Sequence, residues 1–155
     1  MVKQSLSAKV LKALSGRRLA TAESLTGGGI GAAITAVSGA SAVFAGGVIS
    51  YTNEVKHRVL GVPVETLNTC GAVSAPVAQA MSEGARRVIG ADVAVAVTGL
   101  AGPDGDEYGN PVGTVFVGYA DARTAFAREY HFDGNREEVR EQTIEAALKL
   151  ILELN

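Results

Sequence analysis

Apolar residues follow two different periods along the chain, and the two periods predict helices and strands in turn. They recur at helical spacing at Val10, Leu11 and Leu14, and again from residue 74 to Gly90. Residues 91–97 are almost wholly apolar, which is typical of a strand buried on both faces. The other predicted elements are strands at residues 19–22, 43–52, 114–119 and 125–132 and helices at residues 27–37, 54–60 and 136–154.

The order of these elements predicts the fold class. Helices alternate with strands in the first part of the chain, whereas the last two strands follow each other around a turn at Asp121. We therefore expect an α/β fold with three α/β/α layers, in which helices cover both faces of a mixed β-sheet. Because no internal repeat or linker interrupts the pattern, residues 1–155 are expected to form one domain.

Composition narrows the class of protein. The chain has 155 residues, of which 47% are hydrophobic, and its formal net charge is −2. Its charges are interspersed and no apolar run reaches about eighteen residues, so neither a membrane nor a nucleic acid is an expected partner. One cysteine and the absence of a basic, then apolar leader predict a cytoplasmic protein. Two histidines and that cysteine cannot build a zinc site, and we expect neither metal nor cofactor.

A first candidate site lies at residues 23–29, between a predicted strand and a helix that begins near Thr26. Backbone N–H groups at a helix start attract anions, and Gly27 and Gly28 would let a phosphate approach closely. Ordinary helix capping by Ser24 or Thr26 explains the same residues. Neither a P-loop lysine nor the G-x-G-x-x-G spacing is present, so the pattern is consistent with a monophosphate ligand.

A second candidate combines Ser41, Tyr51 and Lys56. A hydroxyl nucleophile needs a base, and a lysine can serve if desolvation or a nearby cation lowers its pKa toward neutrality. Tyr51 could relay the proton. In the simpler interpretation Lys56 is a solvated lysine on a short helix. Cys70 offers a rival cysteine-amidase hypothesis, although a small buried thiol is the simpler role.

A third candidate is the glycine-rich loop at residues 98–113, which follows the apolar strand. Open α/β sheets bind ligands beyond the carboxyl ends of their strands, so the loop is a candidate binding element. A solvent-exposed crossover is the alternative. Arg136, at the start of the last helix, either solvates that helix or pairs with a phosphate at the mouth of a site.

Several of these segments, taken together, resemble one known family. The chain contains TAESLTGG at residues 21–28, GAS at 39–41 and GGVISYTNEVK at 46–56. Further matching segments lie at residues 71–74, 98–103, 111–115 and 136–140. In this order they resemble the C-terminal domain of the competence-damage-inducible (CinA) family over essentially the whole chain.

The resemblance implies an amidohydrolase of pyridine nucleotide salvage that converts nicotinamide mononucleotide to nicotinic acid mononucleotide and ammonia by a metal-independent serine and lysine mechanism. It implicates the side chains of Ser24, Ser41, Tyr51 and Lys56. We expect Ser41 to be the nucleophile and Lys56 its general base. Tyr51 would relay or orient the proton, and Ser24 would hydrogen-bond the substrate or the developing oxyanion. Exchange of the two serine roles is the alternative. The implied substrate-binding residues are Thr26, Gly27, Gly28, Thr98, Gly99, Ala101, Gly102 and Arg136.

The sequence leaves two other functions open. One is a nucleotide-binding module without turnover, and the other is an amidase for another small carboxamide. A small nucleotide is the expected partner, and the apolar composition permits a homodimer or higher homo-oligomer. Leu25, Asp104 and Asn110 depart from the usual family pattern, the last two within the candidate binding loop.

Overall fold

The computed structural model describes residues 2–155, which fold around one five-stranded sheet. The strands are β1 (Leu19–Glu23), β2 (Phe44–Ile49), β3 (Val93–Gly99), β4 (Thr114–Ala120) and β5 (Ala125–His131). The helices are α1 (Val2–Ala13), α2 (Gly29–Thr35), α3 (Asn53–Arg58), α4 (Val64–Cys70), α5 (Ala75–Ile89) and α6 (Arg136–Leu154). A short 3₁₀ turn, Ala40–Ala42, precedes β2.

The strand order is β2-β1-β3-β4-β5, and the sheet is mixed, as predicted. β1 lies parallel to both β2 and β3. Helical crossovers connect β1 to β2 and β2 to β3, as parallel strands require. β4 lies antiparallel to both β3 and β5, and a short turn joins it to β5. The carboxyl ends of β1, β2 and β3 therefore meet at one edge of the sheet.

Side-chain size differs between the two faces of the central strand β3. Val93, Val95 and Val97 pack with residues of α1, α2 and α6 on one face. Ala94 and Ala96 pack with α4 and α5 on the other face. Helices therefore cover both faces, which confirms the predicted three-layer α/β/α fold, and the small alanines allow α5 to lie close to the sheet.

α5 lies very close to the sheet at Gly118 of β4. A Cβ atom at Gly118 would lie 2.1 Å from the carbonyl oxygen of Ala78 in α5. We expect Gly118→Ala to lower the free energy of unfolding by about 3 kcal/mol, because backbone on both sides would have to move. Urea unfolding measures this, with Gly39→Ala as the control.

Gly39 has φ 88°, but within residues 2–155 no atom lies within 4 Å of its Cβ position. Gly39→Ala therefore introduces backbone strain without a steric clash, and it should lower the free energy of unfolding by about 1 kcal/mol. Equal losses in the two variants would contradict the role given to close packing.

Three details of the secondary structure differ from or refine the prediction. α2 begins at Gly29 rather than near Thr26, and residues 24–28 form a turn. α4 was not predicted, because Leu67 is its only buried residue and leaves no apolar period to detect. β2 packs closely on β1 at Gly47, where a Cβ atom would lie 2.2 Å from Thr21 Oγ1. Between residues 2 and 155, no helix is long and apolar enough to span a membrane.

Candidate active site

The shared carboxyl edge of the three parallel strands carries a cavity of about 350 Å³. Ser24 follows β1 directly, Tyr51 lies two residues beyond β2, and the loop after β3 forms one wall. This is the position at which open α/β sheets bind ligands. The residues lining it are Ser24, Leu25, Tyr51, Lys56, Ala72, Val73, Thr98, Gly99, Leu100, Ala101, Gly102, Pro103, Asp104 and Arg136.

Lys56 of α3 is the buried cation of this cavity, with 1% of its surface exposed. Thr52 caps α3 by accepting a hydrogen bond from the Val55 N–H at 3.2 Å, which fixes the direction of the helix. Lys56 Nζ then lies 3.1 Å from Ser24 Oγ, 2.8 Å from the Ser50 carbonyl oxygen and 3.2 Å from that of Tyr51. Burial lowers the pKa of Lys56 from 10.5 to about 8. A neutral amine is therefore accessible near neutral pH.

The three contacts of Lys56 serve both of its protonation states: the ammonium donates to all three oxygens, whereas the neutral amine donates to two of them and can accept a proton from Ser24. Carbonyl oxygens can only accept, so those of Ser50 and Tyr51 take the two N–H groups of a neutral amine. The remaining position on nitrogen is a lone pair, and it faces Ser24 Oγ. In that state the hydroxyl donates to Lys56, which is the arrangement of a nucleophile beside its base.

Ser41 lies elsewhere, and the structure does not bring its side chain together with Lys56. It sits in the 3₁₀ turn before β2, whereas Lys56 follows β2. The six residues of β2 separate the two ends by roughly 20 Å, at about 3.3 Å per residue. Ser41 is exposed, and its carbonyl oxygen accepts a hydrogen bond from Arg18 Nη1 at 2.7 Å. Of the two serines, Ser24 is the one beside the amine.

Tyr51 contributes differently from the predicted relay. Its side chain is 61% exposed, and its carbonyl oxygen, rather than its hydroxyl, contacts Lys56. The Tyr51 hydroxyl accepts a hydrogen bond from Arg136 Nη2 at 3.4 Å. Arg136 Nη1 also donates to the Gly102 carbonyl oxygen at 2.6 Å. Tyr51 and Arg136 thus form a polar pair on the wall of the cavity.

Glu23, the first residue of the first candidate site, organises the turn that follows β1. Its carboxylate is 2% exposed and accepts hydrogen bonds from Thr26 Oγ1 at 2.6 Å, Ile30 N–H at 2.8 Å and Gly31 N–H at 3.0 Å. The N–H groups at the start of α2, which we predicted could bind a phosphate, are therefore bonded to the carboxylate of Glu23. The sequence did contain a sign of this role, because Glu23 is a charged residue at the end of an otherwise uncharged strand.

The predicted substrate-binding residues divide into two groups. Thr26 is buried and bonded to Glu23, and neither it nor Gly27 or Gly28 lines the cavity. The second group lines the cavity together with Lys56, and it consists of Thr98, Gly99, Ala101, Gly102 and Arg136. The loop after β3 and the start of α6 thus supply part of the cavity wall.

The sequence model of the CinA C-terminal domain matches residues 3–155. The chain belongs to the CinA C-terminal domain family. It is 50% identical over 137 residues to a nicotinamide-nucleotide amidohydrolase, PncC, from Pseudomonas putida, covering 88% of this chain and 86% of that protein. A CinA-like protein from Geobacter sulfurreducens is 51% identical over 86% of this chain, but the match spans only 32% of that longer protein.

Solved CinA-family structures have the same fold. The competence damage-inducible protein A from Klebsiella pneumoniae superimposes with a TM-score of 0.95 at 39% identity, covering 97% of this chain and 95% of that one. The corresponding Agrobacterium tumefaciens protein also gives a TM-score of 0.95, at 38% identity, over 100% of this chain and 96% of that one.

The three departures from the usual CinA pattern lie in different surroundings. Leu25 is 5% exposed, packs in the core cluster that includes residues of α6, and also lines the cavity. Asp104 lies on the cavity wall and adds a carboxyl group there. Asn110 donates from Nδ2 to Asp106 Oδ2 at 2.8 Å and to the Val73 carbonyl oxygen at 3.2 Å. Of the three, Asn110 holds the loop in place, while Asp104 faces the space for a ligand.

Proposed function

We propose that this protein hydrolyses the carboxamide of nicotinamide mononucleotide, giving nicotinic acid mononucleotide and ammonia in pyridine nucleotide salvage. The observation that carries the proposal is the 3.1 Å contact between Lys56 Nζ and Ser24 Oγ within the cavity. The 50% identity to a protein named nicotinamide-nucleotide amidohydrolase supports the choice of substrate. The mechanism uses a serine and a lysine and requires no metal.

Acylation begins with Lys56 neutral. Ser24 Oγ attacks the carboxamide carbon while its proton passes to Lys56 Nζ, and the carbonyl oxygen becomes an oxyanion. The Lys56 ammonium then gives this proton to the amide nitrogen, the C–N bond breaks and ammonia leaves. The pyridinium ring withdraws electrons from the carboxamide, which makes its carbon more electrophilic.

The oxyanion is stabilised by the backbone N–H group that follows the nucleophile. This group belongs to Leu25, which lines the cavity, and it donates no hydrogen bond within residues 2–155, so it is available to a ligand. Deacylation repeats the proton transfers with water: Lys56 takes a proton from the attacking water, Ser24 leaves as an alcohol, and the acid is released.

Arg136 is proposed to bind the phosphate of the mononucleotide. Its guanidinium is at the cavity wall, and its hydrogen-bond acceptors within residues 2–155 are uncharged: the Gly102 carbonyl oxygen and the Tyr51 hydroxyl. We expect Arg136→Met to raise KM for the mononucleotide about 30-fold while leaving turnover of the riboside unchanged, because only the former carries a phosphate. Arg123→Met, in the turn between β4 and β5, is the matched control.

Ammonia release from the purified protein tests the function. We expect turnover of the mononucleotide in the presence of a chelator, with much lower rates for the riboside and for nicotinamide. Equal rates for all three substrates would favour an amidase for other small carboxamides. Saturable binding of the mononucleotide without ammonia release would identify a binding module and contradict the proposal.

A further inference from the structure

Arg140 of α6 reaches the turn that carries Ser24 from outside the cavity. Its Nε donates to the Leu25 carbonyl oxygen at 2.9 Å, and its Nη2 donates to the Thr26 carbonyl oxygen at 3.2 Å. These are the two carbonyl groups directly after Ser24. Within residues 2–155, no carboxylate forms a salt bridge with Arg140, so its charge is directed at the turn.

These contacts fix the orientation of the peptide units. Leu25 lines the catalytic cavity, and its N–H donates no hydrogen bond within residues 2–155. Thr26 instead lines the groove on the Arg140 side, and the next N–H, that of Gly27, donates to the Ser24 carbonyl oxygen at 3.1 Å. By holding the carbonyl oxygens of Leu25 and Thr26, Arg140 fixes the stretch of backbone that carries the unpaired Leu25 N–H.

The carboxylate of Glu23 holds the same turn through side-chain and amide contacts. It binds the Thr26 hydroxyl and the first N–H groups of α2, while the guanidinium binds the turn's carbonyl oxygens. The Ser24 N–H is also held, by the Val97 carbonyl oxygen at 3.1 Å. The turn is therefore fixed by two opposite charges and by β3, and of the two charges Arg140 alone comes from a distant part of the chain.

We propose that Arg140 is a positioning residue for the amidohydrolase reaction, which holds the turn after Ser24 so that Ser24 Oγ and the Leu25 N–H keep their places in the cavity. The inference rests on the proposed function. Arg140 itself lines a separate groove of about 530 Å³ between α1, α2 and α6, larger than the catalytic cavity. It therefore acts through Leu25 and Thr26 rather than by touching the substrate.

The test compares Arg140→Met with Arg18→Met. Arg18 also donates to a backbone carbonyl oxygen, that of Ser41, at the opposite end of the sheet. We expect Arg140→Met to lower kcat about 100-fold with KM changed less than about threefold, because loss of one oriented oxyanion donor costs about 10²–10³ in kcat. Arg140→Lys should recover part of kcat, and Arg18→Met should retain it.

Two results would overturn the proposal. One is an unchanged kcat in Arg140→Met, and the other is a raised KM at constant kcat, which would mean that Arg140 binds substrate. A melting temperature lowered equally in both arginine variants, with equal loss of activity, would show a merely structural role.

A second readout does not depend on nicotinamide mononucleotide. A fluorophosphonate forms a bond from phosphorus to Ser24 Oγ, the P–F bond breaks, fluoride leaves, and Lys56 takes the hydroxyl proton. The labelling rate of Ser24, followed by mass spectrometry, should fall about 100-fold in Arg140→Met, as kcat does. Equal rates, or no labelling of Ser24 in the unmodified protein, would refute the positioning role. Normal labelling without turnover of the mononucleotide would refute only the proposed substrate.

Discussion

Ser24→Ala is expected to lower kcat for ammonia release by about 10⁴-fold, whereas Ser41→Ala should change it less than about threefold. Ser24 Oγ is the hydroxyl within 3.1 Å of Lys56 Nζ, so its removal eliminates the nucleophile of the proposed mechanism. Ser41 lies at the other end of β2 with an exposed side chain. Initial rates of ammonia release at saturating mononucleotide measure both effects.

Thermal melting of the two alanine variants controls for folding, and both should melt within a few degrees of the unmodified protein. Each change removes one hydroxyl from a residue whose backbone contacts remain. A loss of activity in Ser41→Ala comparable to that in Ser24→Ala would contradict the assignment. It would require Ser41 of another copy of the chain to reach Lys56, because β2 keeps them apart within one chain.

The fold was predictable from sequence because its elements have clear periods and clear ends. The valine and alanine run of β3 predicted a central strand, and it pairs with neighbours on both sides. The close succession of β4 and β5 predicted the antiparallel part of the sheet. α4 could not be predicted, because a helix with one buried residue packs too little apolar surface to impose a period on its sequence.

The candidate site was predictable in part, and the choice between the serines shows why. The predicted order of strands already placed Ser24 after β1 and Ser41 before β2. In a parallel pair these positions lie at opposite edges of the sheet, so topology favours Ser24 beside a lysine that follows β2. The roles of Glu23 and Arg140 were not predictable, because they depend on which backbone groups a side chain reaches across the turn.

The rate of the reaction is expected to rise with pH, with a midpoint near the Lys56 pKa of about 8. The neutral amine is the form that accepts the Ser24 proton, so kcat/KM should fall about tenfold per pH unit below that midpoint. Steady-state rates from pH 6 to 10 measure this limb. A profile flat through pH 8 would contradict the role of Lys56 as base.

The lowered pKa of Lys56 also makes the free energy of unfolding depend on pH, and Lys56→Met should remove this contribution. The folded pKa of about 8 lies below the unfolded value of 10.5, so between them the unfolded chain binds more protons. The free energy of unfolding contributed by this group therefore rises with pH across that window, by about 1.4 kcal/mol per pH unit at most. Below pH 8 its contribution is constant and unfavourable, because both states are then protonated.

Urea unfolding of the unmodified protein, Lys56→Met and the control Lys149→Met at several pH values separates this contribution from the others. Lys149 is an exposed lysine of α6, so its replacement should leave the pH dependence unchanged. Lys56→Met should be inactive yet gain relative stability toward low pH, since it buries no ammonium. If the free energy of unfolding changed with pH in the same way in all three proteins, Lys56 would have the same pKa in the folded and unfolded states. Burial would then not explain how Lys56 acts as a base near neutral pH.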